Sequence, residues 1–201
     1  SIIFCFNATD ALNLAIHGSV ESGDHVITSS LEHNSVARPL EHLKDAGVEV
    51  TKVQADIETG VDPEDIASSI KENTRLVVIN HMSNVTGTIN DIKAIGAICR
   101  EKGVPFLVDA SQSAGAMKID VQKMNIDMLA FPGHKCLYGP QGTGGLCVRP
   151  GIDIAPLVEG GSGVHSFDER HPRFMPEALE AGTANAHGLA GLAAGCCWLA
   201  E

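Results

Sequence analysis

Lys135 closes the run Gly133-His134-Lys135, which follows the apolar segment Ile126–Phe131 and precedes the glycine-rich turn Tyr138-Gly139-Pro140-Gln141-Gly142. A lysine amine is a candidate nucleophile toward a carbonyl carbon, although a lysine taken alone is most often a solvated side chain. Other polar residues cluster in the same way where apolar runs end: Asn7-Ala8-Thr9-Asp10, Glu32-His33-Asn34, His81-Met82-Ser83-Asn84, and Asp109 with Gln112 close behind. Asp109 resists a surface reading. It follows the continuous apolar run Val104–Val108, and a carboxylate at the mouth of a buried strand needs a partner such as a protonated ring nitrogen. Thr9 reads either as a helix N-cap or as a phosphate contact, because a helix start offers free N–H groups and favours negative charge. His33 alone reads first as a surface or packing histidine.

These residues need elements to position them, and the hydrophobic pattern supplies a plan. A strand over 2–6 leads into a helix over about 9–18, closed by Gly18. Asp24–Ser29 is the next strand, followed by a helix over about 35–46 stopped at Gly47. Val48–Val53 is extended. Asp62-Pro63-Glu64-Asp65 starts a helix, with Asp to cap, Pro in the first turn and acidic residues complementing the helix dipole. Arg75–Ile79, Val104–Val108 and Ile126–Phe131 read as strands whose apolar side chains run without alternation, the mark of burial on both faces. Between the first two lies a helix over 91–102 with Ile92, Ile95 and Cys99 on one face and Gly103 at its end. Strand and helix in alternation imply right-handed crossovers and a mainly parallel sheet. Gly144–Val148 is a further strand, read as reversed against its neighbours. Residues 159–185, rich in Gly, His, Pro and charge, are either a disordered loop or a segment ordered by a partner. The tail from about 186 is helical. In such sheets ligands bind beyond the carboxyl ends of the strands, and the polar clusters above stand there.

Composition narrows the partners. The 201 residues are 44% hydrophobic and 19% charged, as in a soluble α/β domain. The net charge of −11, with basic residues scattered, argues against a nucleic-acid partner. No apolar run approaches the roughly 20 residues of a membrane span. The six cysteines form no C-x-x-C and no zinc-finger spacing, so no metal site is expected. They read as reduced, structural thiols of a cytoplasmic protein, several of them in apolar stretches as buried thiols are, and Cys136 reads as an inert thiol despite its place beside Lys135. The chain opens on a strand and stops within a helix, and is read as a piece of a longer protein truncated at both ends.

Two motif readings fail. Gly139–Gly145 is neither G-x-G-x-x-G nor a Walker loop, and it leads into a strand rather than a helix. A Ser/His/Asp triad lacks the G-x-S-x-G elbow. By contrast, Asp109-Ala110-Ser111-Gln112 followed by Phe131-Pro132-Gly133-His134-Lys135 resembles the core of the fold-type I, class V enzymes that use pyridoxal 5′-phosphate (PLP), the aminotransferase and cysteine desulfurase group. Asn7 to Asn13, Glu32-His33-Asn34-Ser35, Ser83 to Gly87 and Glu180-Ala181-Gly182-Thr183 are similar to the group's other blocks, in the same order. Each block is weak; their order is specific. The likeness is greatest to the desulfurase and selenocysteine lyase branch.

The resemblance implies that residues 1–201 are the PLP-binding large domain, an α/β fold with a mainly parallel mixed sheet flanked by helices, the N-terminal segment and C-terminal small domain lying outside. It implies a Schiff base between Lys135 and PLP, Asp109 on the pyridinium nitrogen, His33 stacked on the ring and Gln112 on the phenolic oxygen. Asn84 would lie near that edge. Ala8, Thr9 and His134 would hold the phosphate, and Thr183 would reach the phosphate of a neighbouring subunit in a homodimer. The implied reaction converts cysteine to alanine, or acts on selenocysteine, and hands sulfur to an acceptor protein. Transamination, C–S β-elimination and a catalytically inert scaffold are the alternatives. Pro132 stands where many relatives carry Ser or Thr, and Ala8 offers no hydroxyl. The family's substrate-binding arginine and sulfur-accepting cysteine fall beyond residue 201, so these residues alone are expected to turn over little or nothing.

Overall fold

The structure is a computed structural model that describes residues 1–201. One seven-stranded sheet has the order β1-β7-β6-β5-β4-β2-β3. Its members are β1 (Ile2–Cys5), β2 (His25–Ser29), β3 (Glu49–Val53), β4 (Thr74–Asn80), β5 (Phe106–Asp109), β6 (Met128–Pro132) and β7 (Gly144–Val148). The pairings from β3 to β6 are parallel, while β7 pairs antiparallel with both β6 and β1. The reversed strand expected at 144–148 is therefore present.

Continuous apolar runs make these strands because both faces are covered, and residues of one strand divide between two cores by parity. Leu76 and Val78 pack in the cluster beneath α1 (Ala8–Ser19) and α2 (Asn34–Asp45), with Leu12, Ile16 and Leu40. Val77 and Ile79 pack in the other, beneath α3 (Pro63–Ser69) and α4 (Ile92–Lys102), with Ile66, Ile95 and Phe106. All are essentially buried. In β4 and β5 the polar residues stand only at the strand ends.

Several helix ends follow the local chemistry. The Asp62 side chain accepts from Glu64 N–H with Pro63 in the first turn, and Gly103 closes α4 in the left-handed conformation at φ 69°. Others differ from the sequence reading. Asn7, not Thr9, caps α1, accepting from Asp10 N–H, so Thr9 lies inside the first turn with its hydroxyl free for other work. α1 runs past Gly18 to Ser19; that glycine is where the helix meets the Ala155 carbonyl, and it does not end the helix. β5 starts at Phe106, since Pro105 has no N–H to give the ladder and Val104 N–H bonds back to Cys99 of α4. Asp109 is thus the last residue of the strand rather than the first after it.

Residues 159–185 carry no helix or strand, yet the chain itself anchors the far end: Ala178 and Leu179 are buried in the first core, and Glu180 accepts from Phe4 N–H. The six thiols differ in burial. Cys99 is buried, Cys5, Cys136 and Cys147 are half-buried, and Cys196 and Cys197 are exposed on α5 (Ala186–Ala200); all six are free thiols. Burial pushes the Cys5 and Cys99 thiols up to about 12. No helix is long and apolar enough to cross a membrane.

Candidate functional site

The carboxyl ends of β2, β4, β5 and β6 converge with the start of α1 on a cavity of about 330 Å³. Ala8, Thr9, His33, Asn84, Asp109, Gln112, His134 and Lys135 all line it. Thr183 does not; it is exposed, in the segment before α5.

At one wall α1 begins. The Asn7 side chain engages Asp10 N–H and its carbonyl takes Ala11 N–H, which leaves the amides of Ala8 and Thr9 without a partner in the chain. Those amides, at the positive end of the helix dipole, suit an anion. The Thr9 hydroxyl lies 2.7 Å from Ser35 Oγ. Ser35 in turn sits 2.8 Å from His33 Nδ1 by its hydroxyl and donates its backbone N–H to the same nitrogen at 3.1 Å. His33 is the N-cap of α2 by this contact. An Nδ1 that accepts places the ring proton on Nε2.

Across the cavity β4 and β5 end side by side, with Asn80 opposite Asp109 in the parallel register. Asp109 is 3% exposed, and its carboxylate makes one hydrogen bond, Oδ1 accepting from Ser111 N–H at 2.9 Å. No salt bridge engages Asp109, His134 or Lys135. A buried carboxylate with capacity to spare, facing the same space as a free lysine amine, is a charge pair without internal compensation. Beneath it, Glu32 has its carboxyl end buried although the residue as a whole is half-buried. Desolvation pushes this carboxyl up to about 8, with the nearby charge of Asp109 adding to the shift.

Asn80, Ser35, Ser111 and Met82 also line the cavity. Asn80 carried no signal in the sequence because it ends a buried strand, and its side chain is spent on the Leu31 carbonyl at 2.6 Å. Ser35 was legible only as part of a motif; its link to Thr9 is a tertiary contact.

The donor set suits a phosphorylated pyridine aldehyde. Free amides with a threonine hydroxyl are chemically suited to a phosphate and a buried carboxylate to a protonated ring nitrogen, while an imidazole flanks the space and a primary amine suits a carbonyl. The volume lies in the range of small-molecule sites, about 300–1,000 Å³.

Comparison with known proteins places the chain. The model of the aminotransferase class-V family matches residues 1–201. A probable cysteine desulfurase of Methanothermobacter thermautotrophicus is 40% identical over 198 residues, 96% of this chain and 50% of that protein. The apo structure of a cysteine desulfurase from Thermococcus onnurineus NA1 superposes with a TM-score of 0.89 at 34% identity, over 99% of this chain and 52% of the other. A structure of SspA in complex with cysteine gives 0.85 at 33% identity, over 97% and 54%. The chain spans about half the length of the relatives it matches.

Proposed function

The chain belongs to the class V aminotransferase family, and on that premise we propose that it is the PLP-holding large domain of a cysteine desulfurase, with Lys135 as the Schiff-base lysine. Bound PLP would supply an electron sink conjugated with the substrate α-carbon. The observation that carries the reading is the buried, under-bonded Asp109 sharing one cavity with the unpaired amine of Lys135.

Each residue then has work to do. Asp109 would keep the ring nitrogen protonated by charge and hydrogen bond. The Ala8 and Thr9 amides, the Thr9 hydroxyl and His134 would take the phosphate. His33, held by Ser35, would cover one side of the ring and exclude water there. Gln112 and Asn84 would address the phenolic edge. Lys135 Nζ would be the base that moves protons at the substrate α-carbon. Pro132 lines the wall without a hydroxyl, so the phosphate depends more on the helix amides.

The substrate is L-cysteine, the product L-alanine, and the sulfur passes to an acceptor protein. The desulfurase relatives and the cysteine complex of SspA support that choice. The enzyme acts as a cytoplasmic homodimer in which Thr183 reaches the partner's phosphate. The full-length protein with PLP should show a visible absorbance band that borohydride abolishes, with the label on Lys135. A Lys135→Ala protein that still forms the reducible adduct would sink the lysine assignment. Alanine as the product of cysteine supports desulfuration. Pyruvate alone would make the reaction a β-elimination, and tight PLP binding with no turnover would make the domain a scaffold.

A further inference from the structure

Glu32 Oε1 accepts two hydrogen bonds from two different elements: Ser29 Oγ, at the end of β2, at 2.6 Å, and the backbone N–H of Asn80, at the end of β4, at 3.0 Å. Asn80 also donates its side-chain amide to the Leu31 carbonyl. The turn between β2 and α2 is therefore tied to β4 at two successive residues, Leu31 and Glu32, and the next residue is His33. Oε2 is buried with no hydrogen-bond partner, as is Thr28 Oγ1, and both residues line a small cavity of about 40 Å³ between β2 and α2. That volume is enough for one water, which needs about 10–15 Å³ of probe space.

A surface glutamate would not be built this way. Burying a carboxyl among groups that partly satisfy it costs stability, and the turn could be closed by a shorter polar residue if closure were all that mattered. The span from β2 to the Asn80 amide needs the length of a glutamate, and it fixes the position of His33 relative to Asp109, because Asn80 is the register partner of Asp109.

We propose that Glu32 is a positioning residue of the cofactor site, docking the β2–α2 turn onto the end of β4 so that the His33 ring is held over the space in front of Asp109. This rests on the reading of the cavity as a PLP site. Glu32 does not line the cofactor cavity and acts through His33. Burial of the carboxyl favours its neutral form, in which Oε1 remains the acceptor.

The test uses the full-length protein and three variants, Glu32→Gln, Glu32→Asp and Glu32→Ala. One readout needs no cofactor: the rate at which diethylpyrocarbonate modifies His33 in the apoprotein, followed on the His33 peptide by mass spectrometry. The second is the Kd for PLP together with the visible circular dichroism of the bound chromophore. Glutamine keeps the acceptor and the length of the neutral acid, so it should match the wild type in all of these. Alanine and aspartate should speed His33 modification and weaken PLP binding by about fivefold, the two lost hydrogen bonds being felt at the site only in part, and should diminish the dichroic band. Wild-type His33 reactivity in the alanine and aspartate variants would overturn the proposal, as would equal losses in glutamine and alanine. Should the wild type fail to take PLP, the reading of the cavity fails, and the His33 rates still decide the role of Glu32.

Discussion

The hydroxyls of Thr9 and Ser35 lie 2.7 Å apart, joining the first turns of α1 and α2 across 26 residues of sequence. Through Ser35 the link continues to His33 Nδ1. One serine therefore orients both a proposed phosphate contact and a proposed ring-stacking imidazole. Ser35→Ala should weaken PLP binding by about tenfold, two hydrogen bonds of roughly 0.5–1.5 kcal/mol each being lost with partial compensation. In a double-mutant cycle with Thr9→Val, the double variant should lose less than the sum of the two single losses, since both variants remove one shared bond. Strict additivity, measured by PLP titration, would show that the pair does not act as a unit.

Asp109→Asn separates holding the cofactor from activating it. The asparagine fits the same space at the end of β5, keeps an acceptor for Ser111 N–H, and loses the charge that favours a protonated ring nitrogen. PLP should still bind within about an order of magnitude, while turnover of cysteine by the full-length protein should fall by 10²-fold or more, the usual loss when a charge-stabilising group is removed from a reacting centre. Comparing kcat with the PLP Kd for the variant checks this. Parallel losses in both would mean that Asp109 serves binding alone.

How much of this was readable from the residues depends on whether the signal is local. The strands from Leu76 to Ile79 and from Phe106 to Val108 were legible because burial on both faces needs an unbroken apolar run, and the two cores divide those residues by parity. The caps at Asp62 and Gly103 are likewise local chemistry. The start of α1 stayed open between a Thr9 cap and a Thr9 phosphate contact, because the contact that engages the Thr9 hydroxyl comes from Ser35 on another helix. β5 was drawn too early because its apolar pattern extends through Pro105, which the ladder cannot use. Glu32 carried no chemical signal beside His33, since its partners Ser29 and Asn80 belong to neighbouring strands.

Gly115 is the place where backbone fit supports Lys135. It holds φ +85°, and a Cβ built on it would fall inside the contact distance of the Cys136 carbonyl, one residue past the lysine. Gly115→Ala must therefore either strain the left-handed backbone or push the Lys135–Cys136 segment aside. The expected cost is about 1–3 kcal/mol by denaturant unfolding, the usual range for overpacking, with slower reaction of Lys135 toward PLP. Gly151, with φ +89° and open space around its Cβ, is the control. Its alanine variant should show the backbone strain without any change at Lys135.

His25 should make stability fall in mild acid. The ring is fully buried between strands, with Nδ1 2.8 Å from Thr74 Oγ1 and Nε2 2.8 Å from Thr51 Oγ1. Burial lowers its pKa from 6.5, and the charge of Lys71 lowers it further against a smaller opposing effect of Glu49. The native state thus favours the neutral ring. Below about pH 6.5 the unfolded chain takes up a proton that the native chain refuses, so stability is lost as pH falls from there toward the depressed native value. His25→Val should lower stability at pH 7.5 through the orphaned threonines but flatten the slope of the urea midpoint between pH 7 and 5. An unchanged slope would place the acid sensitivity elsewhere, with His81, also buried and lowered by desolvation, the next group to test.

Glu32 makes the opposite contribution, and one substitution isolates it. Its carboxyl is raised to about 8 from 4.5, first by desolvation and then by the charge of Asp109 on β5, against the lowering effect of its bonds to Ser29 and Asn80. Glu41 and Lys44 of α2 and Lys52 of β3 line the same small cavity. Between pH 4.5 and about 8 the native state keeps a proton that the unfolded chain has released. Stability from this group is therefore present at low pH and is lost as pH rises through that window, levelling above it. Glu32→Gln has no proton to lose and fits the same bonds. The variant should match the wild type near pH 5 and be increasingly more stable than it up to pH 8, read as the difference in urea midpoint at each pH. A difference that stays flat across the window would mean that Glu32 is ionised in the native protein, and its buried Oε2 would then require a donor that the chain does not supply.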